Sequence, residues 1–163
     1  MIGQEEQATQ QMKVIVFQLF ENQFGVDVSQ VRSIERVVEI TKVPRVPSFV
    51  KGVIHLRGAV IPVIDLKERL MLDEQPLTDD SRIILLIVNG YEVGAIVDAA
   101  SDVVDIPLEA IEPPPQMMAA GVDMKFLRGI AKLSDQLLVL LDLDRVLNTE
   151  EIEQIFEGEG LGT

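Results

Sequence analysis

Residues 49–70, FVKGVIHLRGAVIPVIDLKERL, return without a gap as residues 126–147, FLRGIAKLSDQLLVLLDLDRVL, at an offset of 77 (126 − 49). Phe49/Phe126, Gly52/Gly129, Leu56/Leu133, Asp65/Asp142, Leu66/Leu143 and Leu70/Leu147 are identical between the copies. Self-similarity at a fixed offset means one supersecondary unit used twice. A second, weaker match places Gly94 on Gly25 and aligns the segment around Asn89-Gly90 with residues 14–28, at an offset of 69 (94 − 25). Each half therefore runs hairpin, bent connector, short turn, hairpin, helical turn.

Apolar residues make up 47% of the 163, enough for a sizeable interior, while aromatics are only 4%. Val, Ile and Leu must then build that interior, and the β-branched share favours sheet. Residues 13–20 put Ile15, Phe17 and Leu19 on one face and Val14 and Val16 on the other, which predicts a strand covered on both sides. Residues 29–38 suit either a helical turn or a bent strand. Pro44 and Pro47 bracket an extended connector. Ser48 is placed to cap a short turn over residues 49–51 that Gly52 ends.

Residues 53–56 and 59–64 read as strands joined at Arg57-Gly58, with Pro62 arguing for an edge or bulge. Asn89-Gly90 is the strongest hairpin signal. Asp65 and Asp142 each follow a strand and are placed to cap a helical turn. Asn148 and Glu151 suit a capping box for a last helix, with Ile152, Ile155 and Phe156 as its buried stripe. Residues 107–123, with Pro113-Pro114-Pro115 followed by Met117 and Met118, read as a loop, and Met124 follows directly. Those methionines fill the loop or core, or else offer an adaptable partner surface. Short strands at regular spacing predict small barrels or a sandwich.

The formal charge of −13 argues against nucleic acid and against anionic membrane surfaces, which are bound by clustered Lys and Arg. The chain has no cysteine and one histidine, His55, so disulfides, thiolate catalysis and multi-histidine metal sites are excluded. No GxGxxG or GxxxxGK[ST] occurs. Asp65 and Asp142 as an acid/base pair would sit in separate repeats, and His55 lies in an apolar strand. No cofactor, metal or catalytic set is expected, although an enzyme or ligand sensor using Asp65 or Asp142 with His55 is the alternative class. The first 12 residues are polar and acidic, unlike a signal peptide, and no apolar run approaches the roughly 20 residues that cross a bilayer. A soluble, cytoplasmic protein without membrane insertion is the expectation.

Residues 41–66, TKVPRVPSFVKGVIHLRGAVIPVIDL, resemble the signature of the CheW family of chemotaxis coupling proteins. That signature is a proline-containing lead-in, a hydrophobic-lysine-glycine turn, an asparagine-leucine-arginine-glycine hairpin and a proline-valine-aspartate-leucine close. Residues 15–31 look like the family's first hairpin, and residues 93–106 like its central strand and the bend that follows. The resemblance spans about residues 12–156. It implies an all-β fold of two SH3-like five-stranded barrels, each with its own core, packed across a third core, with a C-terminal helix. The implied layout is a disordered lead-in over 1–12, a CheW-like domain over 13–157 with repeat units at roughly 13–77 and 82–148, a helix over 149–157 and a flexible tail over 158–163. In the family the halves exchange segments.

The resemblance also implies a non-enzymatic adaptor joining the cytoplasmic tip of methyl-accepting chemoreceptors to the regulatory domain of the histidine kinase CheA, recruited to membrane-associated receptor arrays. A related, non-chemotactic chemosensory array would use the same fold. By the same resemblance the receptor-facing residues are Val31, Ser33, Glu35, Arg57 and Gly58. The family's hairpin asparagine is His55 here. The family's glutamate partner for the hairpin arginine falls on Ser33, with Glu35 two residues on as the possible substitute.

Overall fold

The computed structural model describes residues 10–70, 76–113, 122–134 and 136–158. The lead-in over 1–9, residues 114–121 of the 107–123 connector including Met117 and Met118, and the tail over 159–163 lie outside them. In chain order the first half contributes β1 (Gln11–Leu19), β2 (Asn22–Asp27), β3 (Val31–Arg36), β4 (Val50–Leu56), β5 (Ala59–Asp65) and the short helix α1 (Leu66–Arg69). The second half contributes β6 (Arg82–Val88), β7 (Tyr91–Val97), β8 (Ala99–Pro107), β9 (Ile111–Glu112), β10 (Leu127–Leu133), β11 (Gln136–Leu141), α2 (Leu143–Val146) and the longer α3 (Thr149–Gly158). Among these residues no helix is long and apolar enough to cross a membrane.

The strands form two sheets that do not follow the halves. Sheet I has the order β8-β1-β2-β11-β10-β9 and sheet II the order β3-β6-β7-β5-β4. The first hairpin of each half leaves its own half and joins the closing hairpin of the other through a parallel seam. Gly25 lies opposite Leu140 at one seam, and Gly94 lies opposite Val63 at the other. Leu140 and Val63 are equivalent in the repeat (140 − 63 = 77), so the weaker alignment of Gly94 on Gly25 is structural.

Five strands were expected on each side, and sheet I has six. Its extra strand, β9, pairs Ile111 and Glu112 with Ala131 and Ile130. The counterpart in sheet II is Thr41 alone, which exchanges two backbone hydrogen bonds of 2.9 and 2.8 Å with Val53. The sheets share one plan with a ribbon of different length. Among the described residues the edge strands of neither sheet pair with each other, so the hydrogen bonding does not close a barrel.

Three apolar clusters hold the molecule together. Met12, Val14, Val16, Ile106, Leu138 and Leu140 form the core of sheet I. Ile54, Ile61, Val63, Ile83, Leu85 and Ile96 form that of sheet II. Between the sheets lies a larger cluster that takes Ile15, Phe17 and Leu19 from the other face of β1, together with Phe49, Leu70, Phe126, Leu147, Ile152 and Ile155. The doubly apolar β1 is thus buried on both faces because it separates two cores. Gln11 and Met12 belong to it, so the strand reaches into the expected lead-in.

Several local expectations resolve against the structure. Residues 28–30 form a 3-10 turn and β3 follows, which settles the ambiguity of that segment as turn plus strand. The short turn expected over 49–51 is displaced to Ser48 and Phe49, where the Val50 amide bonds back to the Pro47 carbonyl, and β4 begins at Val50. Pro62 lies in an inner strand, but β7 pairs with β5 only from Val63 onward, so the proline sits where β5 has a single partner. Asp65 caps α1 by accepting from the amides of Lys67 and Glu68 at 3.0 and 3.3 Å. Asp142 makes no such bond and faces Arg145 at 3.6 Å instead. Asn148 and Glu151 close the capping box reciprocally, at 2.8 and 3.2 Å.

Candidate partner-binding surface

The β4–β5 hairpin turns on two residues, Arg57 and Gly58, with φ of +52° and +81°. Positive φ at both central positions is the type I′ turn, whose twist matches that of the flanking strands. Asn89 and Gly90 make the same turn between β6 and β7, with φ of +51° and +85°. After a register shift at Lys51, the ladder from Gly52↔Val63 to Leu56↔Ala59 runs unbroken to the hairpin's tip, so the arginine is carried on a paired ribbon.

Arg57 Nη2 lies 3.2 Å from Glu35 Oε2. The arginine side chain is 66% exposed and the glutamate 23%, so a half-buried carboxylate braces an outward-pointing guanidinium. Pairing of this exposure contributes little to folding, up to about 1 kcal/mol. Its effect is to restrict where the guanidinium points.

Of the five residues singled out in the sequence, the structure joins Glu35 and Arg57 directly, with Gly58 beside them in the turn. Glu35 takes the position that the resemblance left open. Ser33 is on the same side of β3 as Glu35, opposite Leu85, and its Oγ is buried without a hydrogen-bond partner among the described residues. Val31 is set apart. The register shifts between Val31 and Ser33, so Val31 lies opposite Leu86 and packs on the central core. His55 is exposed, across from Val60.

The carboxylates weighed as an acid/base pair end strands of different sheets. Asp65 is buried, which pushes its carboxyl above the ordinary aspartate value against the opposing pull of the amides it caps and of Lys67 and Lys51. Beside it, the Lys51 ammonium bonds Glu68 and holds that carboxyl below its ordinary value. Among the described residues no group of three or more His, Cys, Asp and Glu side chains is arranged to hold a metal ion.

Sequence reasoning missed the residues that tie the halves together. The Arg69 guanidinium lies 4.8 Å from the Phe49 ring and 5.3 Å from that of Phe126, its repeat equivalent. Its Nε donates to the carbonyl of Val146 at 2.6 Å, and its Nη2 pairs with Glu151 at 2.9 Å. Val146 is Arg69's own counterpart in the repeat (146 − 69 = 77), which puts Arg69 close to the pseudo-twofold axis. The available signal was that mismatch, a charge aligned with an aliphatic residue. Lys67, nearly fully buried, pairs with Asp98 at 2.6 Å across the same junction.

A family model for the CheW-like domain matches residues 13–151. The chemotaxis protein CheW of Bacillus subtilis is 41% identical over 138 residues, covering 85% of this chain and 88% of that protein. The chemotaxis protein CheW of Klebsiella aerogenes is 31% identical over 140 residues, covering 85% and 82%. Among solved structures, the scaffolding protein TtCheW from Thermoanaerobacter tengcongensis superposes with a TM-score of 0.80 at 38% identity, covering 87% of this chain and 96% of that one. With the duplicated hairpins, the three cores and the braced hairpin arginine in place, these matches identify the chain as a member of the CheW-like family, with the role of an adaptor in chemotaxis.

Proposed function

We propose that this chain works in the cytoplasm as a non-enzymatic adaptor, joining the cytoplasmic tips of methyl-accepting chemoreceptors to the regulatory domain of the histidine kinase CheA. Recruitment to membrane-associated receptor arrays follows from that binding. The receptor-facing surface comprises Val31, Ser33, Glu35, Arg57 and Gly58, and the kinase docks elsewhere, barrel against barrel. Signal passes as a coupling free energy between two binding sites on one scaffold, with no bond made or broken.

The observation that carries this reading is the Arg57–Glu35 pair on a rigid hairpin tip. An exposed arginine whose direction is already restricted loses little entropy on binding, which is how an interface anchor gains affinity. A non-catalytic role is supported by Asp65, whose carboxylate is committed to the amides of Lys67 and Glu68.

Arg57→Ala leaves the core untouched and is expected to weaken binding to a receptor cytoplasmic fragment by about 1 kcal/mol or more, at unchanged melting temperature. Binding to the kinase regulatory domain is expected to stay near wild type. Titration calorimetry against each partner reads both. Unchanged receptor affinity removes Arg57 from that surface, and a loss confined to the kinase exchanges the two surfaces.

A further inference from the structure

The face of β3 opposite Ser33 and Glu35 carries a pattern that the Arg57 surface does not use. Arg32, Ile34 and Arg36 of β3, and Val38 two residues beyond its end, fall at every second position and are exposed, whereas Ser33, Glu35 and Val37 between them are half-buried. Ile34 and Val38 keep 42% and 41% of their surface in solvent. Ile34 lies opposite Ile84, a member of the central core, so this row prolongs an apolar face beyond the core's rim. β3 is the terminal strand of sheet II, and among the described residues no further strand pairs with its outer edge.

The next pair on this face of the ladder is Arg36 opposite Arg82. Like charges directly opposite each other in a sheet are destabilising. Arg82 Nη1 donates to the backbone carbonyls of Asp79 and Ser81, both at 2.8 Å, and among the described residues neither arginine has a carboxylate within ion-pair distance. Arg36 and Arg82 line an open cleft of about 450 Å³ together with Val37, Thr78, Asp79 and Ser81, so one carboxylate-bearing residue also borders it. This pair of like charges sits in a chain of net charge −13. Arg32, at the other end of the row, reaches Glu92 only at 3.7 Å and in solvent.

We infer that Arg32, Ile34, Arg36 and Val38, together with Arg82, form a docking surface for an acidic segment of a partner protein that carries aliphatic side chains between its carboxylates. The segment lies extended along β3. Alternate side chains of a strand point to one face, so an extended segment matches a row of period two residue for residue, whereas a helix presents every third or fourth. A carboxylate between Arg36 and Arg82 relieves their repulsion and accepts from both, and Ile34 and Val38 take the aliphatic side chains. The surface is on the other side of β3 from the Glu35–Arg57 pair and does not depend on the receptor reading.

The test uses the full-length protein and a labelled short peptide alternating glutamate with valine, with the matching lysine–valine peptide and inorganic phosphate as controls. Expected are binding of the glutamate peptide that weakens with salt, loss of affinity of roughly tenfold in Arg36→Gln and in Arg82→Gln, and wild-type affinity in Arg57→Ala. Amide shifts read by NMR should centre on β3. Because Arg82 is half-buried, Arg36→Gln, on an exposed side chain, decides the matter if Arg82→Gln unfolds. No binding of the glutamate peptide, equal binding of the lysine peptide, or an unchanged affinity in Arg36→Gln overturns the proposal. So does displacement by phosphate at comparable concentration, which marks a small-anion site.

Discussion

At the scale of single residues, two neighbouring carboxyls respond to pH in opposite directions. Glu68 is held below the ordinary glutamate value of 4.5, chiefly by Lys51, so the pair stabilises the fold above that value and the benefit is lost as pH falls through the folded-state value. Asp65 is raised above 3.8 by burial, so its ionisation costs stability at neutral pH, and that cost vanishes as the carboxyl protonates. Glu68→Gln is expected to lower stability at neutral pH, by up to about 1 kcal/mol for a pair this exposed, with the deficit closing as pH drops below about 4.5. Asp65→Asn keeps a side chain that caps equally well and is expected to match or exceed wild type at neutral pH, converging with it in acid. Urea denaturation of both variants across pH checks the signs. Glu35 and Arg57 were legible as single residues. Their pairing was less so, because it depends on which face β3 presents after the register shift between Val31 and Ser33.

At the scale of elements, the repeat predicts that Gly52 and Gly129 do the same work, and both sit under a crossing strand. A Cβ at Gly129 would lie 2.7 Å from the Glu112 carbonyl oxygen, and one at Gly52 would strike the carbonyl of Thr41, Glu112's counterpart. Gly52 also has φ of +145°, which L side chains rarely adopt. Alanine at either site is expected to destabilise by about 1 kcal/mol or more, and more at Gly52, as read from the midpoint of chemical denaturation. A loss at one glycine and none at the other would mean that the crossing geometry is not shared. Turn chemistry was legible because it is local: Arg57-Gly58 and Asn89-Gly90 need only their own backbone. The cap at Asp142 failed for the opposite reason. Identity with Asp65 in the repeat does not carry over the surroundings, and Asp142 faces Arg145 where Asp65 is buried against its own helix.

At the scale of the molecule, neither half owns a sheet. Residues 1–77 alone would hold β1 and β2 without their neighbours β8 and β11, and β3 and β5 without β6 and β7. Such a fragment is expected to give a collapsed amide NMR spectrum, while the whole chain unfolds in one transition. Mixing fragments 1–77 and 78–163 is expected to restore dispersion. A dispersed spectrum from residues 1–77 alone would show that the exchange of hairpins is not obligatory. Arg69 belongs to this scale as well. Stacked between equivalent phenylalanines and bonded to its own counterpart, it breaks the symmetry at the axis where both halves meet α3.

The amino-acid sequence by itself determined that there are two copies of one β-unit, where the hairpins turn, and that β1 is buried on both faces. Each of these follows from spacing, backbone preference and the alternation of apolar residues over a few positions. Only the tertiary structure decided which hairpin pairs with which, that the ribbon at Thr41 shortens to a single bridge, and that Val31 parts from Ser33 across a register shift. Strand exchange leaves every local pattern unchanged. It is decided by the parallel seams, where Gly25 lets the closing strand approach, a Cβ there coming within 3.1 Å of the Leu140 side chain, while at Gly94 a Cβ would meet Ile83 of its own hairpin at 2.9 Å and Val63 of the closing strand at 3.4 Å.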